Sequence, residues 1–229
     1  MALLLAIDTS AHTAGVALLG GEVVLAERTW QAVGNHTTQL LPAVRELLRA
    51  SGKTVADLGA VATAIGPGAF TGLRVGIATA KTLAWSRGIP CVAIGSLDAL
   101  AATVAWAPRV LAVLDAGRGE WYWASYVYER GARRQLTPPQ IGRPEEVLAP
   151  LKRETFLVGD CSPTVRQLIA AHYGRLVTLP DPRLPAVRPA ALGLLAQARL
   201  AAGDSDEPAT LQPVYIRRPA AEERKGAAG

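Results

Sequence analysis

"LLLAIDTS" at residues 3–10 and "VLAVLDAG" at residues 110–117 are the two stretches on which the fold turns. In each, an unbroken apolar run ends at an aspartate, Asp8 in the first and Asp115 in the second. Short continuous apolar runs bounded by turn residues have the pattern of strands buried on both faces. Each acid precedes a short turn and then a second strand, over residues 15–19 and 121–128. Two strand–acid–turn–strand units, one in each half of the chain, predict a duplicated α/β fold.

Working outward, the first unit reads as three strands, then helix, strand, helix, strand and helix. Gly20-Gly21 supplies the first hairpin turn and residues 22–30 the third strand. A helix is predicted over 39–51, with Leu40, Leu41, Val44, Leu47 and Leu48 on one face opposite Arg45, Glu46 and Arg49. Pro42 is compatible only with its first turn, and Gly52 is a natural stop. Then come a strand at 61–65, a helix at 71–87, a strand at 91–94 and a helix at 97–106 capped by Gly95-Ser96. Residues 1–107 are expected to form the first subdomain. Residues 108–187 form a smaller second one, made irregular by Pro138-Pro139, Pro144 and Pro150. It closes with a strand at 156–158, a helix at 163–172 and a strand at 176–179. A helix at 189–203 should pack back on the first subdomain, and 219–229 reads as a disordered tail.

Half of the 229 residues are hydrophobic and 19% are charged, a globular composition. The apolar start is too short for a signal peptide, lacks a basic lead and meets Asp8. No stretch nears the roughly 20 apolar residues of a membrane span. Cys91 and Cys161 stand alone, as expected of reduced thiols in a cytoplasmic protein. The net charge of +5 comes from basic residues that are mostly scattered singly, with short clusters such as Arg133-Arg134 and Arg217-Arg218. That favours a solvated surface over a dedicated nucleic-acid patch.

The glycine loop "GPGAFTGLRVG" at residues 66–76 has the context of a phosphate site, between a strand and a helix. Its spacing fits neither pattern: Thr71 and Leu73 break the P-loop, and Thr71 replaces the last glycine of the dinucleotide fingerprint. The helix behind it carries Leu73, Ile77, Ala80 and Ala84 on a core stripe, and small or apolar residues nearly all round. Two readings stay open: a helix covered by its own chain, or a subunit interface. Gly76 implies close backbone approach, and Arg74, near a positive helix end, is expected to answer a carboxylate. His12, His36 and His172 make no helical pair of metal-ligand spacing. Asp8 and Asp115 could hold a metal-bound phosphate across a cleft, or each could merely order its turn. Trp121 and Trp123 alternate with Tyr122, so aromatic groups fall on both strand faces, which favours packing over base stacking.

The segments "LAIDTS", "NHTTQLLPAVRELL", "GPGAFTGLRVGIATAK", "GSLDALA", Asp115 with "EWY", and "PVYIRR" occur here in this order. In this the chain resembles the TsaB (YeaZ) family. The resemblance implies an actin-like, RNase H-like (ASKHA) duplicated fold of two subdomains, each a mixed sheet flanked by helices. It implies a non-catalytic, cytoplasmic scaffold in the bacterial synthesis of N6-threonylcarbamoyladenosine at position 37 of tRNA. Such a chain forms a homodimer alone and a heterodimer with TsaD, the threonylcarbamoyl transferase. TsaE joins the complex, and tRNA is met through the complex. It has no membrane contact, no metal and no cofactor of its own, with ATP/ADP and metal on the partner subunits. Pairing through the first two helices makes Leu40, Leu41, Val44, Leu48, Arg74, Ile77 and Ala78 the expected partner interface. Arginine at Val44 or Ala78 should then abolish pairing and leave the monomer folded. Asp8, Thr9 and Asp115 remain candidate nucleotide contacts. Two departures weigh against such contacts: Ala69 stands where the family commonly has Ser, and Gly117 displaces Arg118 from the family's Asp-Ala-Arg turn. The alternative is a small ATP-dependent phosphotransferase using Asp8 and Asp115.

Overall fold

A computed structural model describes residues 2–32, 36–130, 132–181 and 189–217. The expected tail at 219–229 lies outside the described residues. Strands β1 (Leu3–Asp8), β2 (Thr13–Gly20) and β3 (Val23–Gln31) form an antiparallel meander. Helix α1 (His36–Ala50), β4 (Leu58–Gly66), α2 (Phe70–Arg87), β5 (Cys91–Gly95) and α3 (Ser96–Ala102) complete the first half. The sheet order is β3-β2-β1-β4-β5, with β4 parallel to both β1 and β5.

The second half repeats this design. It consists of β6 (Arg109–Gly117), β7 (Glu120–Glu129), β8 (Ala132–Gly142), α4 (Pro144–Leu148), β9 (Thr155–Gly159), α5 (Pro163–His172), β10 (Val177–Thr178) and α6 (Pro189–Ala201). Its sheet order, β8-β7-β6-β9-β10, matches the first strand for strand, with β6 antiparallel to β7 and parallel to β9. This is the duplicated actin-like, RNase H-like arrangement, two mixed sheets flanked by helices.

β1 is buried along its whole length because each face meets a different layer. Leu3, Leu5 and Ile7 share a core with Leu40, Val44, Leu47 and Leu48 of α1 and Leu73 and Ile77 of α2. Leu4 and Ala6 face Leu192 and Ala196 of α6. The last helix thus packs back on the first sheet. In the second sheet, Val110, Ala112 and Leu114 meet Leu97 and Leu100 of α3, while Leu111 and Val113 meet Leu148 and Ile169. Trp121 and Tyr122 are buried on opposite faces, one in each of these cores, so packing claims this aromatic run.

Several expectations are corrected. The first hairpin turns at Gly21-Glu22, since Gly20 still pairs with Val23. α1 starts earlier than expected, so Pro42 lies inside the helix. There it forgoes a backbone donor on the solvent-facing side. α3 ends at Ala102 and leaves residues 103–106 to turns. Of the prolines read as irregular structure, Pro138 and Pro139 in fact belong to β8. Pro138 and Pro139 sit where its register slips, between the Ser125–Thr137 and Trp123–Gln140 pairs. β8 is an edge strand, where a missing N–H costs no inner ladder bond. α4 is an added element, and Pro144 at its first turn with Glu145 and Glu146 is its helix start. Among the described residues no helix is long and apolar enough to cross a membrane.

Candidate functional site

Two regions carry the residues singled out above. The first is the acidic turn at the end of β1. Asp8 is fully buried, and its Oδ1 accepts from the Ser10 amide at 3.0 Å and the Ser10 hydroxyl at 2.6 Å. Burial pushes its carboxyl up from the ordinary range, the Ser10 hydrogen bonds pull it back, and the Asp160 charge adds to the rise. The Thr9 hydroxyl donates to the Gly72 carbonyl at 2.7 Å, and Ala69 N–H donates to the Ser10 carbonyl at 2.7 Å. A Cβ added at Gly68 would stand 2.2 Å from the Ser10 carbonyl oxygen, and one at Gly76 2.3 Å from Thr9 Oγ1. The glycine loop is therefore shaped by the chain's own first turn, which it covers. Gly76 does mark a close approach, and the approaching surface is Thr9.

Asp115 is placed differently. Its side chain is open to solvent, its Oδ1 accepts from Gly117 N–H at 2.8 Å, and His12 Nε2 stands 3.5 Å from its Oδ2. Its own amide donates to Asp160 Oδ2 at 3.1 Å. Burial pushes the Asp160 carboxyl up, against the pull of the Asp115 amide and His12. Asp115, Glu120, Asp160 and Cys161 line a cavity of about 370 Å³ in the second half, to which the first half contributes His12. Asp115 thus shares this cavity with Asp160, and Asp8 lies behind Ser10 instead of completing a pair of acids. Sequence reasoning missed Asp160, although "FLVGD" at 156–160 repeats the motif of an apolar strand ending at an acid.

The second region is the outer side of α1 and α2. Leu40, Val44, Leu48 and Ile77, expected at a partner interface, are buried in the chain's own core. α1 has one apolar stripe, and the first sheet and α2 occupy it. Arginine at Val44 is therefore expected to weaken the monomer itself as well as any pairing. Leu41, 57% exposed, is the outward residue of its group. On α2 the outward stripe is Arg74, Ala78, Thr82 and Trp85, and Trp85 is 86% exposed. Ala78, Lys81, Thr82 and Trp85 line a groove of about 480 Å³ with Glu207, Pro208 and Ala209. Trp85 is legible in the sequence as the next residue of this stripe at helical spacing. Arg74 meets no carboxylate among the described residues. Its guanidinium lies 3.9 Å from the Phe70 ring centroid, and its Nε donates to the Tyr215 hydroxyl at 3.0 Å. An aromatic stack has replaced the expected ion pair.

Residues 30–225 match the family model described as TsaD, tRNA N6-adenosine threonylcarbamoyltransferase. Over 223 residues the chain is 34% identical to the tRNA threonylcarbamoyladenosine biosynthesis protein TsaB of Bacillus subtilis (strain 168), covering 96% of each. The chain belongs to the TsaB/YeaZ family. TsaB of Escherichia coli (strain K12) is 40% identical over 127 residues, 54% of each chain. YeaZ from Pseudomonas aeruginosa has the same fold, with a TM-score of 0.78 at 32% identity over 94% of this chain and 100% of that one.

Proposed function

We propose that this chain is the scaffold and dimerisation subunit of the bacterial machinery for tRNA threonylcarbamoyladenosine. It binds and stabilises the TsaD-type threonylcarbamoyl transferase and performs no chemistry itself. The observation that carries this reading is the outward stripe Arg74, Ala78, Thr82 and Trp85 of α2, which exposes a large aromatic, together with the exposed Leu41 of α1. Exposed Trp and fixed Arg are the side chains that dominate protein interfaces. The internal engagement of Asp8 and Thr9 supports a non-catalytic role, since neither is presented to a ligand. The same face serves a homodimer when the chain is alone. TsaE joins the heterodimer, nucleotide and metal sit on the partners, and tRNA is met by the assembled complex.

Light scattering after size-exclusion chromatography tests this on the chain alone and mixed with the TsaD-type subunit of its own source. A dimer that exchanges into a one-to-one heterodimer is expected. A monomer that ignores the other subunit would overturn the proposal. The cavity at Asp115 and Asp160 favours one rival, a small ATP-dependent phosphotransferase. Calorimetry with Mg-ATP separates the two, because tight binding with Asp8-dependent turnover belongs only to the rival.

A further inference from the structure

Beyond α6 the chain runs back across the first half as a strap, residues 204–217. Asp206 pairs with Cys91 at the outer edge of β5, and its carboxylate accepts from Ala93 N–H at 2.7 Å and Arg199 Nη1 at 3.0 Å. Lys81 of α2 donates to the Ala209 and Leu211 carbonyls, each at 3.2 Å. Val214 N–H donates to the Ile65 carbonyl at 2.7 Å, and the Val214 carbonyl oxygen fills the space where a Cβ on Gly66 would stand. Tyr215 then stacks on Phe70, ring centroids 5.0 Å apart and planes inclined by 29°, and accepts the Arg74 Nε hydrogen bond. Ile216 packs against the core under α3, and Arg217 bonds the Ala116 carbonyl and Glu120 in the second half. Tyr215 is thus held from both sides, by residues anchored in different halves of the molecule.

We propose that Tyr215 is a positioning residue for the partner face: with Phe70 it fixes the Arg74 guanidinium in one pose, so that affinity for the TsaD-type subunit depends on a strap residue acting through Arg74. The inference rests on the scaffold reading and on α2 as the contacting helix. An exposed arginine ordinarily samples many rotamers, and ordering it on binding costs affinity. Here the stack holds the guanidinium plane and the Tyr215 hydroxyl takes Nε, while the two Nη groups, which bond no other described residue, can meet a carboxylate or carbonyl of the partner protein. The ordering cost is met when the strap docks, before the partner arrives. The second half bears on the partner face through the same strap, by way of Ile216 and Arg217, which follow Tyr215.

Titration calorimetry with the TsaD-type subunit of the same source tests this on the full chain, its Tyr215→Ala, Tyr215→Phe and Arg74→Ala variants, and the Tyr215→Ala, Arg74→Ala double variant. Tyr215→Ala should weaken binding about tenfold and Tyr215→Phe, which keeps the stack, about threefold. In the Arg74→Ala background the Tyr215→Ala loss should vanish, because its route is gone. Wild-type affinity in Tyr215→Ala would overturn the proposal. So would an undiminished loss in the Arg74→Ala background, the signature of a detached strap acting by another path. Failure of the wild-type chain to bind at all would instead sink the scaffold reading itself, and it would show before any variant is compared.

Discussion

Val44→Arg and Ala78→Arg separate two roles that a helical pattern cannot tell apart. Val44 is 4% exposed and belongs to the α1 face that meets the first sheet. Losing its burial costs about 1.5–3 kcal/mol. An unpaired guanidinium forced toward that core adds several kcal/mol more, even after the side chain bends toward water. A total near 5 kcal/mol is comparable with the whole stability of many domains, roughly 5–15 kcal/mol. Ala78 faces solvent, where a substitution shifts stability by about 0.5 kcal/mol or less. Urea unfolding followed by circular dichroism, at dilutions where the wild type is monomeric, should therefore show Val44→Arg unfolded or severely weakened, with Ala78→Arg at the wild-type midpoint. Light scattering on Ala78→Arg should show loss of pairing without loss of fold. A Val44→Arg chain that unfolds at the wild-type midpoint while failing to pair would refute the core placement. It would return Val44 to the interface.

Gly76→Ala tests the contact between α2 and the first turn. Its helix-propensity gain of about 1 kcal/mol should be outweighed by crowding of Thr9 Oγ1, about 1–3 kcal/mol. In the Thr9→Ala background that loss should shrink, whereas simple additivity of urea midpoints would count against the contact. Asp8 gives a pH signature. Its folded carboxyl titrates above its unfolded value of 3.8, so the folded state binds more protons and Asp8 costs increasing stability as pH rises through that window. Stability of Asp8→Asn measured relative to wild type should accordingly rise from pH 4 to pH 7, and a flat difference would mean that Asp8 is not buried as described. Maleimide at pH 8 should label partly exposed Cys161 and spare Cys91, whose buried thiol is pushed up to about 11. Equal labelling by peptide mass spectrometry would contradict that burial.

The sequence by itself determined the duplicated core. Strands such as β1 and β6 are covered on both faces, so every position must be apolar and the run is conspicuous; the acids at their ends mark the chain's exit from that core. It did not show β8. Its residues are exposed or half-buried and include two prolines. For the candidate site, the α1 and α2 periodicities gave the stripes but not what covers them. The pattern of Leu40, Val44 and Leu48 is the same whether a sheet of the same chain or another subunit lies opposite. Tertiary structure decided it, by laying the first sheet under α1 and the first turn under Gly68 and Gly76. It alone brought Tyr215 to Arg74, two side chains 141 positions apart, since only a folded chain can carry its strap back across α2.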